Sequence, residues 1–210
     1  MKERNIKITL EKAREWYNSN NNSLKEIALQ AFDKDELVFN FKNITTFERA
    51  CKALGLNYGI ISIVAKDVAI FSRASAAMFK LNIIRKALNL DQNLHLTKDP
   101  EGSYIYYPCN PFVTKSSTFY KNKLDSGEME VIGKIKSEGE EYYVLGGDAV
   151  TGSVSGLSGF NSDIDVGFAY ANFGFLGCAT IEIAQHFGKY FGMLITEAEY
   201  ADMVDFEILS

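Results

Sequence analysis

The stretch from Asp163 to Ile195 constrains the fold most, because its hydrophobic period changes partway along. Ile164, Val166, Phe168 and Tyr170 alternate with Asp163, Asp165, Gly167 and Ala169, the two-residue period of a half-buried strand. Asn172-Phe-Gly174 shifts that alternation by one residue and predicts a bulge. From Ala179 the period is helical, with Ile181, Ala184, Phe187, Phe191 and Leu194 on one stripe and Glu182, Gln185 and Lys189 opposite. Ala184, Gly188 and Gly192 recur every four residues. On a helix carrying these charges, the repeat predicts close packing on a sheet rather than dimerisation in a membrane. Thr196, with Glu199 three residues on, predicts a separate last helix ending near Val204.

Upstream, helical signals come first. Thr9 caps a helix from Leu10 to about Ser19, and the polar run Asn18 to Ser23 breaks it. Ser23 with Glu26 forms a capping box for a second helix whose stripe is Leu24, Ile27, Ala28, Ala31 and Phe32. A short helical turn follows at Asp33 to Leu37. Thr45 with Glu48 starts another helix, which Gly55 stops. Gly59 to Val64 is open between a buried strand and a helical start. One long helix is expected from about Asp67 to Leu88.

The texture changes at Asn89. Asp99-Pro-Glu-Gly102 signals a turn, and Ser103 to Tyr107 a strand ended by Pro108. Met129 to Ile135 and Glu141 to Leu145 form a hairpin joined by Ser137-Glu-Gly-Glu140. Gly146 to Ser162, rich in Gly and Ser, is expected to be an irregular loop. Helices before strands, closed by a C-terminal helix, define an α+β fold with mainly antiparallel strands. The expected division is a helical hairpin over residues 1–40 and an α+β body over 41–210, or one continuous domain.

Lys and Arg outnumber Asp and Glu by 19 to 12 in residues 1–124, whereas residues 125–210 carry 3 against 15. The balance is +7 and then −12, for a net charge of −5. Either the halves neutralise each other within one fold, or the acidic face of one copy meets the basic face of the next. Net acidity argues against nucleic acid as a partner. The longest apolar run, Tyr58 to Phe71, holds Lys66 and Asp67 and is too short to span a bilayer. With no secretory signal at the N-terminus, a cytoplasmic location is expected. Three scattered cysteines then read as reduced, inert thiols.

The string Ile8-Thr-Leu-Glu-Lys-Ala-Arg-Glu-Trp-Tyr17, followed by Leu24-Lys-Glu-Ile-Ala-Leu-Gln-Ala-Phe32 and Asp35-Glu-Leu37, resembles a leader found on uncharacterised proteins of gut Bacteroidetes and their phages. Tyr104-Ile-Tyr-Tyr-Pro108 and Glu182-Ile-Ala-Gln-His-Phe-Gly-Lys-Tyr-Phe191 are similar to body segments of that group. Because such leaders precede different bodies, the resemblance implies a portable docking or assembly element and a virion-associated setting as an alternative location. It implies no activity, so it assigns no catalytic residue.

Catalytic signatures fail one by one. No Gly-Lys-Ser/Thr or G-x-G-x-x-G occurs, and Gly152-Ser-Val-Ser-Gly156 places Val154 where a nucleophile elbow needs Ser. His95 and His186 sit in no zinc motif, so no metal and no cofactor is expected. Two functional classes remain. The first is a non-catalytic structural or interaction protein with a protein partner or self-assembly, contacting through Trp16, Tyr17, Leu24 and Phe32. The second is a small-ligand or carbohydrate binder, or an enzyme, that uses the Gly-rich loop with Asp148, Asp163, Asp165, Tyr104 and Tyr106.

Overall fold

The computed structural model describes residues 7–90, 92, 104–115, 117–118, 120–137, 139–153, 176–203 and 206–209. The expected strand and bulge at 163–174, the rest of the Gly-rich stretch, His95 and the 99–102 turn lie outside these residues. What is described is α+β: helices first, strands after, then a long helix and a final strand.

Helix α1 (Leu10–Asn18) begins at Thr9, whose hydroxyl accepts from Lys12 N. Helix α2 (Asn22–Ala31) is capped by Asn21 rather than Ser23, because the Asn21 side-chain oxygen reaches Ser23 N and Leu24 N first. A turn of helix, α3 (Lys34–Leu37), carries a capping box between Asp33 and Glu36. Helix α4 (Phe47–Ala53) starts one residue later than expected, with Thr46 as its cap. The Thr45 hydroxyl instead accepts from Arg49 Nη1 at 3.0 Å.

Gly59 to Val64 is helical, inside α5 (Tyr58–Phe71), and Asn57 supplies the cap at Ile60 N. The single helix expected over 67–88 is therefore two. Ser72 breaks it with an extended backbone, ending α5 by donating its N–H to Val68 O. The same residue starts α6 (Arg73–Leu88) by accepting from Ser75 N at 2.9 Å. Its hydroxyl also donates to Asp202.

The described strands form two sheets. β1 (Tyr104–Cys109) runs on through Pro108 and pairs antiparallel with β5 (Asp148–Ser153). β2 (Phe112–Val113), β4 (Glu140–Gly146), β3 (Glu130–Ser137) and β6 (Phe206–Leu209) form an antiparallel sheet in the order β2-β4-β3-β6. The β3–β4 hairpin matches the expected pair, and its turn holds Gly139 at φ 85. A short helix, α7 (Lys121–Asp125), lies in the connection from β2 to β3. The strand β5 corrects the expectation of an irregular loop from Gly146 onward. Gly147 (φ 105) turns the chain from one sheet to the other, and a Cβ there would meet Glu128 O at 2.7 Å.

Helix α8 (Ile181–Tyr200) is one element, so Thr196 does not start a new helix. Its hydroxyl donates to Gly192 O at 3.0 Å, which satisfies it inside the helix. The small-residue face packs on the sheets as expected, and a Cβ on Gly192 would collide with Asn110 and Ile132. On its other side α8 meets α6. The main core lies between them, with Leu81, Ile84, Leu88, Ile183 and Phe187 fully or almost fully buried. Asn89, itself buried, clasps this core. Its amide donates to Arg85 O at 2.9 Å, and its carbonyl oxygen accepts from Ala179 N at 2.9 Å.

Candidate functional site

The ribbon of β1 and β5 sets the positions of the residues expected to bind a ligand. Tyr104 pairs with Ser153, Tyr106 with Thr151, and Cys109 with Asp148. Tyr104 and Asp148 thus stand at opposite ends, five pairs or about 17 Å apart along the strands. They are not brought together. Tyr106 is half-buried against the main core, and its backbone exchanges two hydrogen bonds with Cys178, at 3.1 and 2.8 Å. Asp163 and Asp165 lie outside the described residues.

The aromatic residues of the hairpin turn inward. Trp16, Tyr17 and Phe32 pack around Ala13, Ala28 and Leu37, a small core of their own, while Leu24 is half-buried on α2. A cleft of about 360 Å³ separates this unit from α4. Arg14 spans it, donating through Nε to Glu36 O and through Nη1 to Ala53 O, both at 2.9 Å. Its guanidinium also sits 5.8 Å from the Phe39 ring centroid. Lys52 pairs with Glu36 at 2.8 Å and holds that carboxyl below its usual range. These cations are engaged by the chain itself, so the cleft is a clamp between hairpin and body.

Reactive side chains are scattered and sheltered. Burial pushes the Cys178 thiol up to about 12, which disfavours the nucleophilic thiolate. Burial likewise raises Cys51. His186 bonds Ile44 O at 2.9 Å through Nε2 and meets the edge of Phe41, and burial lowers its pKa. It fastens the chain before α4 to α8. Burial pushes Glu199 up to about 8. No group of three or more His, Cys, Asp or Glu among the described residues could hold a metal ion.

The feature that packing leaves unexplained is α5. It lies against α6 and α4 through an inner side on which Ala65 is buried, and Tyr58 meets the edge of Phe47. Its outer side is apolar and open: Phe71 is 90% exposed, Ile70 78%, Ile60 61% and Ile63 60%, with Val64 beside them. At 100° per residue these five form one stripe along the helix. Asp67 falls within the stripe and Lys66 on its flank, both exposed. Sequence reasoning missed this surface. Apolar residues occur all round α5, a pattern that ordinarily signals a buried helix.

No helix among the described residues is long and apolar enough to cross a membrane. Fold and surface together define an α+β protein with a sheltered interior and an open apolar helix. No known protein family, curated protein or solved structure matches the chain.

Proposed function

We propose that this chain is a non-catalytic interaction module that docks a protein through the outer face of α5. The observation that carries the reading is the open stripe of Ile60, Ile63, Val64, Ile70 and Phe71. An aromatic side chain alone offers about 150–250 Å². With four aliphatic neighbours the stripe reaches the size at which exposed patches mark interaction sites. A bilayer surface fits less well, because such helices carry several Lys and Arg on their polar side. Here one Lys stands next to one Asp, and Asp67 lies in the part a lipid would cover. The leader's resemblance to elements that precede varied bodies agrees with an assembly role, in a phage or mobile-element setting. The docking face, however, moves from Trp16, Tyr17 and Phe32 to α5.

A photo-cross-linking residue at Ile63, compared with one at exposed Glu11 on α1, tests the proposal in cells. Cross-linked protein is expected from position 63 and not from position 11. Equal yields from both positions, or none from 63, would overturn it.

A further inference from the structure

We infer that the occupant of the α5 face is a second copy of this chain, paired antiparallel about a two-fold axis between Lys66 and Asp67. The inference rests on the docking role of α5 and adds its partner. Charge carries it. An apolar stripe that contains a carboxylate cannot close against a purely apolar surface without stranding that charge. The cover must bring a cation to Asp67 and an anion to Lys66.

α5 has both, in adjacent positions. In an antiparallel two-fold pair centred between residues 66 and 67, any two positions whose numbers sum to 133 lie opposite each other. Lys66 of each copy then faces Asp67 of the other, and Ile63 faces Ile70. The same operation leaves Phe71 at the rim of the contact, and Ser62 and Ala69 stay on the inner side of α5. Such a contact is isologous and closes at two copies. The helix ends agree: α5 has no acidic residue in its first turn and no basic residue in its last. An antiparallel neighbour sets each uncompensated end beside the opposite pole of another helix.

The test uses the full chain and two charge reversals, Lys66→Asp and Asp67→Lys, followed by sedimentation velocity over a range of concentrations. Both positions are exposed, and matching thermal melts of the variants establish that the fold is intact. The wild-type chain is expected to dimerise. Each variant alone sets like charges across the axis twice and should weaken the dimer by about tenfold or more. Mixing the two variants restores both opposite-charge pairs, so the mixture should form a heterodimer about as tight as the wild type. That rescue is what a merely apolar contact does not give.

A wild-type chain that stays monomeric overturns the second-copy inference. So does a dimer indifferent to both reversals. The docking role of α5 survives either result if the residue at position 63 cross-links to a different protein. A cross-link from position 63 to residues 154–175 of the same chain would overturn both, because the stripe would then be covered from within.

Discussion

Helices α5 and α8 make a natural pair. Ten of the fourteen residues of α5 are apolar, against eleven of twenty in α8. Yet α8 buries nine residues and α5 buries Ala65 alone. The more apolar helix is the more exposed. What differs is cover: α8 lies between α6 and the two sheets, whereas among the described residues α5 packs against α6 and α4 through its inner side. Apolar composition is a property of a segment, but burial depends on what the rest of the chain brings to it.

The sharpest way to break this comparison is to truncate one Phe on each helix. Phe187→Ala should cost about 3–5 kcal/mol in urea unfolding, because Phe187 is fully buried in the main core. Phe71→Ala on α5, measured at a concentration where the chain is monomeric, should change stability by no more than about 0.5 kcal/mol, as for an ordinary surface site. A large loss from Phe71→Ala would mean that the α5 stripe is covered within the monomer.

Glu199 sharpens the comparison through pH. Its folded pKa, about 8, lies above the ordinary carboxyl value, so the folded state holds the proton more tightly. Its stabilising contribution is complete below about pH 4.3 and is lost as pH rises through about 8. Thermal melts from pH 5 to 9 should show wild type losing stability as pH rises to about 8 and levelling off above it, and Glu199→Gln should lose less. Glu199 lies on α8, so variants at the outer face of α5 should leave that slope unchanged.

Smaller effects follow from the geometry around each helix. Gly192→Ala on α8 should cost about 1–3 kcal/mol, since the added methyl collides with Asn110 and Ile132. Ser72→Ala, at the break between α5 and α6, should cost about 1 kcal/mol by removing the α6 cap. Chemical unfolding of both variants checks the order.

The fold is most legible in the sequence where a signal is local. Thr9 caps α1 as its position predicts, and the β3–β4 hairpin follows its turn residues. The fold is less legible locally where two side chains compete for one role: Asn21 and Thr46 take the caps that Ser23 and Thr45 could supply. The break at Ser72 was hidden because helical periodicity continues across it. The strand β5 is hidden because Gly152 and the preceding Gly146 and Gly147 resemble a loop, and only pairing with β1 makes it a strand. The α5 surface was the least legible feature, since which side of an apolar helix is covered depends on residues far along the chain.

The Asn89 clasp has a consequence in time. It joins Asn89 to Ala179, 90 positions on in the chain, and the core it closes between α6 and α8 spans a similar separation. At about 5–20 residues per second, a ribosome needs roughly 5–20 s to travel from Asn89 to α8. For that interval α6 has emerged without the helix that seals its apolar side. The newborn chain therefore carries two uncovered apolar surfaces, and the arrival of α8 removes only one of them.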